Sequence, residues 1–156
     1  MHIGFSYVGA VFLVMLLVPN FFWMKYKPCG YETYAVRENR FLLILERLGE
    51  IAVTCLSLIF EDFNIHRDSP RIVWLILSFV LMLLYEVYWI RYFMSGRTMR
   101  DFYRSFCGIP VAGATLPVMA FLLLGIYGGN VFLILADLVL GVGHIGIHLC
   151  HRQEVQ

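Results

Sequence analysis

The sequence predicts an all-α membrane protein, a bundle of five transmembrane helices with the N-terminus outside and the C-terminus cytoplasmic. Three observations lead there. Apolar residues make up 60% of the 156 and charged ones only 15%, giving a mean hydropathy of +0.75, well above the soluble range. The apolar residues fall into five runs of about 20, the length that crosses a hydrocarbon core at 1.5 Å per residue. The Lys and Arg residues gather in alternate connections between those runs, which fixes a direction by the positive-inside rule.

The first span covers about residues 3–24. Pro19 and Asn20 fall near its far end and predict a kink or an early stop, and Phe21, Phe22, Trp23 and Tyr26 suit an interfacial aromatic belt. The N-terminal residues carry no positive n-region and no small-x-small cleavage pattern, so the run reads as a retained span. Residues 25–40 form a polar connection with a turn at Pro28 and Gly30.

The second span, about 41–60, contains Glu46, Arg47 and Glu50. On a helix Asn39, Glu46, Glu50, Thr54, Ser57 and Glu61 share an arc of roughly 80°, and the rest of the circumference is mostly aliphatic. A narrow polar stripe of this kind lines the interior of a membrane bundle. Asp68-Ser69-Pro70 then offers an N-cap and a first-turn proline for the third span, about 72–93. That span places Ser78, Met82, Tyr85, Trp89 and Tyr92 on one packing face, and Glu86 is its single acid.

Residues 91–107 are the most basic segment. The fourth span, about 108–127, starts with Pro110 in its first turn and holds Pro117 inside, where a proline bends a helix. Tyr127-Gly128-Gly129-Asn130 is a tight uncharged turn into the fifth span, about 131–150. The connections after spans one and three hold the excess of Lys and Arg, and the one after span four holds none, which yields the orientation above.

The chemistry concentrates at the end of the chain. Asp137, Gly141, His144, His148 and His151 share an arc of about 80° on one helix, and ionisable groups inside a span face a bundle interior or a water-filled cavity. Glu46 and His144 lie at the same depth, roughly 9 Å from the cytoplasmic ends of their spans, with Glu50 and Asp137 deeper. A polar pocket or proton pathway lined by Glu46, Glu50, Asp137 and His144, with Glu86 contributing, is therefore expected between spans two and five. By this count His151, and with it His148, is solvated at the cytoplasmic face.

Two other chemistries fit the same residues. His144 and His148 stand at i and i+4, a spacing that brings two imidazoles to one divalent metal ion, with Asp137 or Glu46 completing the shell; such a site would make the protein a metal-dependent intramembrane enzyme. No Glu follows His144, so the zincin arrangement is absent. Haem would need facing histidines, and the other two, His2 and His66, belong to the opposite surface. No cofactor is expected, and no catalytic motif stands out. Cys29, Cys55, Cys107 and Cys150 form no C-x-x-C pair and read as reduced thiols.

A net charge of +1 without a basic groove excludes nucleic acid as a natural partner. The partners that fit are the lipid bilayer, a small-molecule or ion ligand, and a second copy or a membrane partner subunit against which polar stripes would pack. Glu46-Arg47-Leu48-Gly49 in the second span and Gly141-Val142-Gly143-His144-Ile145 near the C-terminus resemble small bacterial multi-pass membrane proteins of unassigned function. That resemblance implies a bacterial cytoplasmic membrane and no particular activity.

Overall fold

In the computed structural model, which describes residues 1–35 and 38–155, the chain folds into seven helices and no strand among the described residues. They are α1 (Tyr7–Lys25), α2 (Tyr31–Ala35), α3 (Arg40–Ile59), α4 (Ile72–Phe93), α5 (Met99–Tyr103), α6 (Ala112–Gly128) and α7 (Val131–Val155), with a 3₁₀ turn at Glu61–Phe63. By length and composition α1, α4 and α7 are each able to cross a membrane. The shorter α6 is equally apolar, whereas α3 carries Arg40, Glu46, Arg47 and Glu50 within its 20 residues.

Packing explains which helix goes inside. Helix α6 buries residues all round its circumference, among them Leu116, Ala120, Phe121 and Leu124, so it sits centrally between α4 and α7. A helix that is apolar on every side is suited to that place. The outer surfaces of α1, α4 and α7 are aliphatic, with Val14, Ile76, Leu83 and Leu135 exposed. Between α4 and α6, the Ser78 hydroxyl donates to the Ala120 carbonyl at 2.6 Å.

Several expected boundaries shift. Helix α1 does not stop at Pro19 but runs six residues further, to Lys25. Next to the Met15 carbonyl, whose helix donor would be the N–H that Pro19 lacks, the Leu16 carbonyl accepts from Asn20 Nδ2 at 2.8 Å and from the Tyr85 hydroxyl at 3.4 Å. Pro110 lies outside α6, because Val111 takes a left-handed conformation (φ 47°) and the helix begins at Ala112. Helix α4 begins at Ile72 behind Arg71, with no side-chain cap, so Asp68-Ser69-Pro70 precedes the helix instead of opening it. Helix α6 continues through the buried Pro117, and α7 extends five residues beyond its expected end.

At the end of the bundle where α1 begins, residues 2–6 run antiparallel to the chain leaving α3. Gly4 N–H donates to the Ile59 carbonyl at 3.0 Å and Ser6 N–H to the Leu58 carbonyl at 2.9 Å. Asp62 accepts from the His2 amide at 2.6 Å and pairs with His2 Nδ1 at 2.9 Å. Burial works upward on the Asp62 carboxyl, but the hydrogen bonds from His2 outweigh it and hold it below the ordinary range. The sign follows: this stabilisation is complete above the unfolded-state value and is lost as pH falls through the lower folded value. Asp62→Asn should cost roughly 1 kcal/mol at neutral pH and flatten the acid limb of thermal midpoint against pH. Parallel limbs for the two proteins would remove Asp62 as the cause.

Candidate functional site

The site is built at the crossing of α3 and α7, the most extensive helix pair in the fold. The two run antiparallel in a register that sets Gly49 against Leu140, Glu46 against Gly143 and Leu42 against Gly146. A Cβ on Gly143 would meet the Glu46 amide and lie 2.6 Å from the Leu42 carbonyl oxygen, and one on Gly49 would lie 2.5 Å from Leu140 Cα. Glycine on each helix is thus what lets the backbones touch, and close approach places Glu46 opposite His144.

Glu46 is 8% exposed, and its Oε1 lies 2.6 Å from His144 Nδ1, so the imidazole donates a short hydrogen bond to the carboxylate. Glu50, one turn along α3, pairs with Arg47 at 2.8 Å. One ligand atom each from Glu46, Glu50 and His144 falls within 4.8 Å of the others. Asp137 and His148 do not belong to that group, and both of its carboxylates are already engaged, Glu46 by His144 and Glu50 by Arg47.

From His144 the polar side chains continue along α7. The His148 ring centre is 4.7 Å from that of His144, nearly perpendicular to it. The Tyr103 hydroxyl lies 3.2 Å from His148 Nδ1 and 3.0 Å from His151 Nδ1. His151 Nε2 in turn stands 3.4 Å from Glu38 Oε1. His151, expected in solvent, is only 2% exposed: α7 continues past the membrane-length run, and Tyr31 and Tyr103 close over it, their ring centres 5.9 and 6.2 Å from the imidazole. Burial, reinforced by the charge of Glu46 and opposed by Arg47, pushes the Glu38 carboxyl above the ordinary range, and burial followed by Glu38 and Glu46 pushes the Tyr31 phenol up.

Tyr103 is held in place by its neighbours. Thr98 and Asp101 form a reciprocal capping box that starts α5. Arg91 donates to the carbonyls of Arg104 and Ser105 at 3.1 Å each, the Tyr88 hydroxyl donates to the Phe102 carbonyl at 2.7 Å, and Trp23 stacks on Phe102 with ring centres 5.8 Å apart.

These groups open onto a half-open cavity of about 910 Å³, lined by residues of α1, α3, α4, α6 and α7 and by Tyr31, Phe102 and Tyr103. Glu38, Glu46, Glu50, His144 and His148 supply its polar wall, and aromatic rings including Trp23, Tyr85, Tyr88 and Trp89 supply much of the rest. The volume falls within the range that small-molecule sites span. A second basin of about 790 Å³ lies at the end of the bundle between Arg100, Arg104 and Arg152, and Tyr103 lines both.

Of the residues the sequence singles out, Glu46, Glu50, His144 and His148 meet in this cavity. Asp137 and Glu86 are not in its lining. Asp137 is 0% exposed, and neither carboxylate oxygen has a hydrogen-bond partner among the described residues; Glu86 is half-buried, with Oε1 likewise unpartnered. Sequence reasoning missed Glu38, Tyr31 and Tyr103. Only Tyr103 carried a usable signal, the Thr98-x-x-Asp101 spacing that announces a helix start five residues before it. No protein-family model, curated protein or solved structure matches this chain, so the functional reading rests on the site.

Proposed function

We propose that this is an integral membrane protein in which α1, α3, α4, α6 and α7 all cross the bilayer, N-terminus outside and C-terminus cytoplasmic, and that its half-open cavity binds a small organic cation with an apolar body. Binding of this kind is the step that transport and ligand sensing share. The observation that carries the reading is the buried Glu46 carboxylate in a cavity walled by aromatic rings. Among the described residues its basic neighbours Arg47 and Lys27 pair with Glu50 and Glu32, and the hydrogen-bond partner of Glu46 is the His144 imidazole. Aromatic faces attract a desolvated cation, and the Lys27 ammonium already stands 5.5 Å from the centre of the Trp23 ring. Placing α3 across the membrane turns its polar stripe toward this cavity and leaves aliphatic residues such as Ile44 and Leu48 outward.

The test is equilibrium dialysis of the purified protein against benzyltributylammonium and a neutral carbon isostere of the same size. The cation should bind, the isostere at least tenfold more weakly, and Glu46→Gln should abolish the difference. Equal binding of the two would remove the carboxylate from recognition. For the topology, a reporter inserted at Asn64 should report the outside and one at the C-terminus the cytoplasm; the opposite pattern would invert the arrangement.

A further inference from the structure

The most basic stretch of the chain takes no part in the cation site. Residues 91–107 carry Arg91, Arg97, Arg100 and Arg104 against Asp101 alone, and the fold puts these arginines to different uses. Arg91 is structural: it donates to the carbonyls of Arg104 and Ser105 and lies over the rings of Tyr88 and Phe106, at 5.1 and 5.3 Å from their centres. Arg97 lies over the Tyr26 ring at 5.1 Å. Arg100 and Arg104 instead line the basin of about 790 Å³ at the end of the bundle, where Arg152 joins them from the end of α7. Among the described residues neither the Arg100 nor the Arg104 guanidinium has a hydrogen-bond or ion-pair partner, and Arg152 donates to the Ser105 hydroxyl at 3.2 Å. Asp101 also lines the basin. Its carboxylate accepts from the Thr98 amide and hydroxyl at 3.1 and 2.8 Å, so three guanidiniums face one carboxylate that is committed to a helix cap.

Converging guanidiniums select an anion, and arginine holds phosphate oxygens with two N–H groups at a time. The place of the basin selects among phosphates. Arg152 stands in the last turn of α7, just past its apolar run, and the exposed Leu138 and Leu149 lie within about 60° of it around the helix. On a spanning α7 an aliphatic track therefore leads along the outer surface to the basin, and Lys25 and Arg97 mark the same end of the bundle as basic. Anionic lipid is drawn to that side of a membrane protein. We infer that the basin binds the phosphate of an anionic phospholipid whose acyl chains lie along the outer face of α7, with Arg100, Arg104 and Arg152 as the groups that hold it. The inference rests on the part of the proposed function that sends α7 across the bilayer and is independent of the cation site. Orientation by the positive-inside rule needs only a number of charges; here α5, the residue after it and the end of α7 bring three of them to one concave volume.

Native mass spectrometry of the full-length protein in detergent, titrated with phosphatidylglycerol or phosphatidylcholine of identical chains, counts the lipids bound. The wild type should take up one phosphatidylglycerol with a preference of about tenfold over phosphatidylcholine, the scale that a few arginines near a headgroup supply. Arg100→Gln with Arg104→Gln, both exposed positions, should remove most of that preference. Lys25→Gln with Arg97→Gln takes two charges from the same end but outside the basin, and should keep it. Glycerol 3-phosphate at equal concentration should not displace the lipid. Equal uptake of the two lipids, or a preference that survives in the Arg100 and Arg104 variant, would overturn the site. An equal loss in the Lys25 and Arg97 variant would show diffuse charge in place of a site, and displacement by glycerol 3-phosphate would assign the basin to a soluble phosphate ester. If the double basin variant does not fold, Arg104→Gln alone must at least halve the preference. Cation binding in a protein without the lipid preference would remove this site alone, and the preference in a protein that binds no organic cation would remove the cation reading alone.

Discussion

Replacing Gly143 with leucine is expected to open the bundle at its tightest point and to lower stability by on the order of 3 kcal/mol, at the upper end of the usual overpacking cost. The obstacle is backbone, the Glu46 amide and the Leu42 carbonyl, and has no rotamer to adopt. Separating the helices would also pull His144 away from Glu46 and leave a carboxylate in an apolar interior without its donor, a further cost of breaking a buried charged hydrogen bond. Gly146 provides the control. There an added Cβ meets only the Leu42 side chain at 3.2 Å, which is free to turn aside, so Gly146→Ala should be tolerated. Thermal unfolding in one detergent compares the two. If Gly143→Leu melted with the wild type, the close crossing of α3 and α7 would not hold the site together.

The second large effect is expected in the opposite direction. Asp137 is fully buried and neither oxygen meets a donor among the described residues. An unpaired buried polar group costs about 1–3 kcal/mol by mutational measures, so Asp137→Leu, similar in volume, should raise stability by a comparable amount. Asp137→Asn would keep two polar atoms in the same place and should gain little. A residue that lowers stability in the resting fold is the kind that function retains, so the stabilised variant should be compared with wild type for cation binding. Destabilisation by leucine would show instead that the carboxyl has a bound partner within the bundle.

Much of the site could be read before folding was considered. The arc shared by Glu46 and Glu50 and the arc shared by His144 and His148 each follow from the helical repeat alone, and the depth expected of two spans pairs Glu46 with His144, which the structure sets 2.6 Å apart. Asp137 obeys the same periodicity yet stays out of the cavity. Periodicity gives an angle about one helix axis, and two helices that cross touch over only part of their length, so one end of a polar stripe meets the cavity while the other is packed into the core. Glu38, Tyr31 and Tyr103 belong to segments that looked like plain connections, and nothing in their local pattern says that they fold back over α7.

By itself the sequence determined that the chain is helical, that its longest apolar helices are of membrane-crossing length and hydropathy, and which faces of α3 and α7 are polar. These properties depend on composition and on a repeat of 3.6 residues, and both are local. The tertiary structure alone decided that α6 takes the centre, that glycines bring α3 and α7 to backbone contact, and that a five-residue helix lays Tyr103 between two histidines. Those outcomes depend on complementarity between segments distant in the chain, where fractions of an ångström separate a contact from a clash. His151 shows the difference most plainly, solvated by its position in the sequence and buried because Tyr31 and Tyr103 close over it.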